Sequence, residues 1–255
     1  MHVVVTGASS GIGEALAREY AKHGASVTLV ARRKDRLDKI ASELGAPSFV
    51  VAADLGDVEH AADWLAPAEA ALGPVDVLVN NAGVQIVAAT QDTDPAEGEH
   101  LLRVDVHAPL RITIAVLKGM LARKQGTIVD VASLAALTPT PGMYYYNAAK
   151  AALAAASESL RHELRGTGVH VLTVYPGPVE TAMANKALAT YGDVPMLKRL
   201  PIGNTTELAR RIRVAVEKKR PRVIYPASYA ASRWFPNTAR WLTGRFAPKI
   251  KPKAE

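Results

Sequence analysis

Seven short runs rich in β-branched residues recur along the chain, separated by segments with apolar residues at helical spacing. The runs fall near residues 2–6, 27–30, 48–53, 76–79, 126–132, 169–175 and 222–225. They are almost continuously apolar, as strands are when both faces of their sheet are covered. Helical patterns near 12–23, 34–44, 58–72, 95–123 and 144–166 lie between them, with Gly24 and Gly45 as C-terminal stops behind the first two. Strands alternating with helices predict an α/β fold: a parallel sheet with right-handed crossovers and helices on both faces. No internal repeat or low-complexity linker interrupts this rhythm, and Thr138-Pro139-Thr140-Pro141-Gly142 is too short to act as a linker between domains. One domain over 1–255 is expected. Residues 178–205 read as a loop-plus-helix insertion over the site, and 227–255 as a basic, aromatic extension.

The turn after the first strand carries the first chemical information. Thr6-Gly7-Ala8-Ser9-Ser10-Gly11-Ile12-Gly13 joins that strand directly to the first helix. Glycines here permit a tight turn and let the backbone approach a pyrophosphate, while the helix start offers unpaired N–H groups and a positive dipole end. A mere turn accounts for Gly7 but not for three glycines around two serines. The expected fold is thus a Rossmann-type, doubly wound domain with a mainly seven-stranded parallel sheet.

Composition removes several other classes. With no cysteine among 255 residues, a disulfide scaffold, a thiol nucleophile and a thiolate zinc site are excluded. No uninterrupted apolar stretch reaches the length of a membrane span, and no basic leader precedes the first strand. A cytoplasmic protein is expected. The formal charge of +7 is uneven: residues 198–255 hold fifteen Lys and Arg against Glu207, Glu217 and Glu255, and the rest of the chain is net acidic. The fold as a whole is therefore not read as a nucleic-acid binder, and the C-terminal quarter is marked as an attachment surface.

Taken with the loop, the later motifs make the sequence resemble the short-chain dehydrogenase/reductase family. The resemblance spans nearly the whole chain to about residue 225. Thr6 to Gly13 looks like the family's cofactor loop, with Gly7, Ser9, Ser10, Gly11, Ile12 and Gly13 at the cofactor. Asp54-Leu55 resembles the adenine-binding pair, and Asn80-Asn81-Ala82-Gly83 the motif that stabilises the sheet and contacts the cofactor. Tyr146-Asn147-Ala148-Ala149-Lys150 matches the Y-x-x-x-K active-site motif, and Pro176-Gly177 with Val179 and Thr181 the segment that meets the nicotinamide. The family implies a small-molecule alcohol or carbonyl substrate and a homodimer or homotetramer, with the Ala-rich helix around Lys150 to Ala156 packed on a partner subunit.

The end of the second strand discriminates between the two nicotinamide dinucleotides. An acid there binds a ribose 2′-hydroxyl and repels a 2′-phosphate. This chain reads Val30-Ala31-Arg32-Arg33-Lys34, with three cations and no acid. Arg32 can present a planar fork to a phosphate, and cations are poorly suited to a helix start for structural reasons alone. NADP(H) is the expected cofactor and NAD(H) the alternative.

For proton exchange with a substrate oxygen, a tyrosine needs its pKa of about 10 lowered by positive charge. Lys150 lies four residues after Tyr146 on a predicted helix, hence on one face; Tyr144 and Tyr145 have no lysine at that offset and are read as aromatic packing at the pocket wall. Ser133, thirteen residues before Tyr146, matches the family serine that holds the substrate oxygen. Asp105 stands at the family's fourth catalytic position, where asparagine is common, and so does Asp130 at a second asparagine position. An ionised Asp105 would raise the lysine pKa and puts the family's proton relay in doubt.

The seven histidines show no metal-ligand spacing, and the Gly-x-Ser-x-Gly of a serine hydrolase is absent, so no metal is expected. Pocket walls are expected from Val84 and Gln85, residues 134–143 and residues 183–200, among them Leu134, Leu137, Met143, Met183, Leu188, Met196 and Leu200, which suit an apolar or bulky substrate. Trp234, Phe235, Trp241, Leu242 and Phe246 interleave with Arg233, Arg240 and Arg245, with Pro236 starting and Gly244 ending a short helix. Covering the sheet edge or a neighbouring subunit is the preferred role for these aromatics; peripheral contact with an anionic membrane is the lesser one. The leading function is hydride transfer between NADP(H) and an alcohol or carbonyl. The alternative is a cofactor-sensing or lipid-surface protein with little chemistry.

Overall fold

The computed structural model describes residues 1–192, 200–247 and 250. Seven strands form one parallel sheet: β1 (His2–Thr6), β2 (Ser26–Ala31), β3 (Ser48–Ala52), β4 (Val77–Asn80), β5 (Gly126–Val131), β6 (Val169–Pro176) and β7 (Arg222–Tyr225). Their order is β3-β2-β1-β4-β5-β6-β7, so the winding reverses between β1 and β4, where a doubly wound sheet opens a crevice at its carboxyl edge.

Alternate strand residues serve opposite faces. Val3 and Val5 of β1 join Leu29, Val79 and Val129 under α1 (Gly11–Lys22), α2 (Lys34–Glu43) and α8 (Thr205–Glu217). Val4 joins Leu78, Ile128 and Val171 under α3 (Leu65–Leu72) and α5 (Ala108–Arg123). This period of two on a sheet with helices on both faces explains the nearly unbroken apolar runs. The remaining helices are α4 (Pro95–Leu102), α6 (Tyr144–Glu163), α7 (Ala182–Thr190), α9 (Ala231–Trp234) and α10 (Pro236–Phe246).

Three expected helices differ from their sequence patterns. The one at 58–72 begins only at Leu65, and the stretch before it folds as turns. There Asp54 Oδ1 accepts from Gly56 N at 2.9 Å and Asp57 pairs with His60 at 2.9 Å, local bonds that compete with a helix. The long helix at 95–123 is divided by a π turn over Arg103–His107. Pro109, two residues further on, has no N–H to bond the Asp105 carbonyl and its ring crowds that carbonyl, so the regular ladder is broken there. Gly244 does not end the C-terminal helix, which continues to Phe246; Pro236 does start it.

Candidate active site

The sequence-predicted site residues, with the exception of Gly13, line a single cavity of about 940 Å³ at the carboxyl edge of the sheet. Gly7, Ser9, Ser10, Gly11 and Ile12 form its floor beside the switch point, with Arg32 and Arg33 from the end of β2 and Asp54 and Leu55 after β3. Asn81, Ala82 and Gly83 enter after β4, and Pro176, Gly177, Val179 and Thr181 after β6. Gly13 lies behind the loop, where an added Cβ would meet the Gly7 carbonyl oxygen. Gly7 has a φ of 67°, and a Cβ there would stand 2.8 Å from Ala82 Cα. The loop is thus pressed against the end of β4. Thr6 reinforces that contact: its hydroxyl donates to Val79 O at 3.2 Å and accepts from Asn81 N and Ala82 N, each at 3.0 Å.

Ser10 is the extended N-cap of α1 and makes no side-chain cap bond, which leaves the helix start directed at the cavity. Arg33 is held against this loop. Its Nη2 donates to Ser9 Oγ and Ser10 Oγ, each at 2.9 Å, and its Nε to Ser9 Oγ at 3.2 Å. Arg32, the phosphate ligand expected from the sequence, is exposed on the same cavity wall. The missing signal was directional: adjacent residues leaving a strand point to different sides, and only the structure shows which guanidinium meets the serines.

The reactive side chains gather at the other end of the cavity. Ser133, at the start of a 3-10 turn after β5, accepts from Ala135 N at 3.1 Å. Tyr146 and Lys150 lie one turn apart on α6, both buried, with Lys150 Nζ 5.7 Å from the Tyr146 ring centre. Neither neighbour lines the cavity as expected: Tyr145 packs on Gly98 of α4, and Tyr144 is exposed. The π turn brings Asp105, fully buried, to Lys150: Oδ2 is 3.0 Å from Nζ, and Oδ1 accepts from Val84 N at 2.7 Å. Lys150 Nζ also donates to Val131 O at 3.3 Å.

Burial sets the electrostatics of this cluster. It pushes the Tyr146 phenol above its ordinary pKa; Lys150 acts against the rise, Asp105 with it, and a bond to Ser133 against it. Burial alone would lower the Lys150 ammonium, but the Asp105 carboxylate carries it upward. Asp105 is itself pushed up by burial and held back by Lys150 and by Val84 N–H. Together the pair carries no net charge whichever partner holds the proton. Asp130 is separate. It accepts from Asn80 Nδ2 at 2.8 Å inside the sheet, where burial raises its carboxyl.

Val84, Gln85, Leu134, Met143, Met183, Leu188 and Leu200 line the cavity as expected. Leu137 does not; it packs beside Leu134, Ala154 and Tyr175. Met196 lies outside the described residues. Tyr191 falls within the expected wall stretch 183–200, whereas the sequence reading missed Tyr229 and also Ala239, Leu242, Thr243 and Phe246 of α10, which close the outer side. The three-to-four-residue spacing within α10 was visible, but nothing local indicated that this helix returns to the site.

A family model described as short chain dehydrogenase matches residues 1–192. A short chain dehydrogenase of Pseudocercospora fijiensis is 38% identical over 206 residues, which cover 77% of this chain and 66% of that longer protein. The short-chain dehydrogenase from Sphingobium yanoikuyae in complex with NADPH superposes with a TM-score of 0.80 at 28% identity, over 99% of this chain and 98% of that one. The 3-ketoacyl-(acyl-carrier-protein) reductase from Brucella melitensis complexed with NADH gives a TM-score of 0.79 at 26% identity, over 88% and 96% of the two chains. A shared parallel sheet and a family match over three quarters of the sequence lead to one assignment: the chain belongs to the short chain dehydrogenase family of oxidoreductases.

Proposed function

We propose that the protein is an NADP(H)-dependent reductase or dehydrogenase acting on an apolar alcohol or carbonyl. The observation that carries this is the set of buried Tyr146, Lys150 and Asp105 with half-buried Ser133 at one end of a cavity whose other end is the glycine loop. The residues present fit a dinucleotide. Gly7 and Gly13 let the loop close on itself and against the end of β4, which keeps it clear of the cavity, and α1 opens without a side-chain cap. Glycine-loop backbone would hold the pyrophosphate, Asp54 and Leu55 the adenine side, and Arg32 with Arg33 a 2′-phosphate. Arg33 favours the phosphorylated cofactor because its fork is already oriented by Ser9 and Ser10. Bound nicotinamide supplies or accepts the hydride.

The chain's own groups manage the proton. Ser133 Oγ orients the substrate oxygen, and Tyr146 gives its proton to that oxygen in reduction or takes one in oxidation. Burial keeps the resting phenol protonated, which suits reduction. As phenolate forms, the Lys150 ammonium opposes its charge, and Asp105 keeps that ammonium in place. Apolar walls from Leu134, Met143, Met183, Leu188 and Leu242 favour a substrate with little charge.

The test is absorbance at 340 nm with a panel of apolar ketones and aldehydes, using NADPH and NADH in parallel. Consumption of NADPH is expected, with NADH the poorer cofactor. Failure of both cofactors across the panel rejects the reading, and a clear NADH preference rejects the phosphate site.

A further inference from the structure

The pair α9–α10 has two sides. Toward the cavity it presents Ala239, Leu242, Thr243 and Phe246, one face of a helix by their spacing, and Arg240 Nε ties it to Leu137 O at 3.2 Å. On the other side Trp241 sits about half a turn away from that face, flanked by Arg245, with Trp234 and Phe235 just before the helix. Trp234, Phe235 and Trp241 are 74%, 65% and 63% exposed. Of the twelve exposed large apolar side chains among the described residues, five fall between 234 and 246, and three of these, Trp234, Phe235 and Trp241, do not line the cavity. That density exceeds single scattered exposures and marks an interaction surface.

Charge selects the partner. From Lys218 to Ala254 the sequence holds ten Lys and Arg and no acid. The Arg233 guanidinium lies 5.4 Å from the Trp234 ring and that of Arg245 5.5 Å from Phe246. A second copy placed on this face by two-fold symmetry would bring the same cations together, so self-association is disfavoured. Interfacial rings interleaved with arginine suit a surface that is anionic outside and apolar just beneath.

We propose that α9–α10 docks on an anionic lipid bilayer, which sets the cavity mouth at the membrane and admits a bilayer-dissolved apolar alcohol or carbonyl. The docking component stands on this surface alone, and the substrate component rests on the oxidoreductase reading above.

Co-sedimentation of the full chain with vesicles tests it, comparing phosphatidylcholine with phosphatidylcholine plus phosphatidylglycerol. Each of Arg233 and Arg245 near an anionic surface is worth roughly fivefold, so about a 25-fold preference for the anionic vesicles is expected, largely lost at high salt. The charge-preserving double variant Trp234→Ala/Trp241→Ala should bind at least about tenfold more weakly, since it removes most of the buried apolar area. Its mass in solution and its turnover of a water-soluble carbonyl should equal those of the parent. No sedimentation of the parent with anionic vesicles at low salt overturns the proposal. So does undiminished binding by the double variant, which reduces the attraction to net charge, or a change in its oligomeric mass, which assigns the face to a second copy. Vesicle binding without turnover on any carbonyl sinks the oxidoreductase reading and leaves the docking surface standing.

Discussion

Tyr144, Tyr145 and Tyr146 are adjacent in the chain, yet α6 turns each toward a different environment. Tyr146 faces Lys150 and the cavity, Tyr145 covers Gly98, and Tyr144 meets solvent. Tyr145→Phe should therefore leave kcat within about a factor of a few, because its ring and packing persist. A loss as large as that of a catalytic group would contradict the helical-spacing assignment. Asp105 makes a sharper prediction. Its carboxylate lies beside the lysine and raises the Tyr146 phenol, so removing the charge by Asp105→Asn makes phenolate easier to form. Reduction needs the protonated phenol, so the alkaline limb of the reductive kcat profile should move to lower pH. An unmoved limb would show that Asp105 does not act on Tyr146, and an upward shift would show that its support of the Lys150 ammonium outweighs its direct effect on the phenol. Arg33 is the third residue-scale case. Arg33→Asp should shift preference toward NADH by about 10- to 100-fold, the worth of a charge-assisted bond. Unchanged selectivity in steady-state assays with both cofactors would exclude it from the phosphate site.

At the scale of elements, β1 and its neighbours show how a local choice is fixed by burial. His2 opens β1 with Nδ1 2.6 Å from Gly73 O and Nε2 2.8 Å from Thr28 Oγ1. A carbonyl only accepts, so Nδ1 carries the proton and Nε2 is the acceptor. Burial holds His2, and likewise His170 in β6, below the ordinary imidazole pKa. Such groups favour the fold above their unfolded pKa of about 6.5, and that contribution is lost as pH falls through their lower folded values. Thermal melts should therefore show the midpoint dropping between about pH 7.5 and about pH 5, and less so in His2→Asn. The strands, the glycine loop and the Tyr146–Lys150 spacing were legible in the sequence because each depends on contacts within a few residues. The π turn was not. Its cause, Pro109, was in view, but a proline early in an apolar helical pattern is equally compatible with a new N-terminus. Nor was the return of α10 to the cavity, which depends on long-range contacts such as Arg240 with Leu137.

The whole molecule divides its labour between one rigid sheet and loops at its carboxyl edge. The candidate-site residues come from the ends of β1 to β6, the π turn before α5, and α6, and the two apolar layers beneath hold their spacing. Damage to a layer should therefore reach stability before chemistry. Leu16 of α1 is fully buried against the sheet, and Leu16→Ala should cost roughly 2–5 kcal/mol in a denaturant melt. The central claim is that Tyr146 exchanges the substrate proton in a cavity that already fits the cofactor. Its most direct test is pre-steady-state and steady-state turnover of NADPH with a reducible apolar carbonyl by the parent and Tyr146→Phe, alongside NADPH affinity by fluorescence. The variant keeps the ring but lacks the proton, so kcat should fall by about 10²–10⁴ while NADPH binds as before. Full activity in a folded Tyr146→Phe protein would contradict the claim outright.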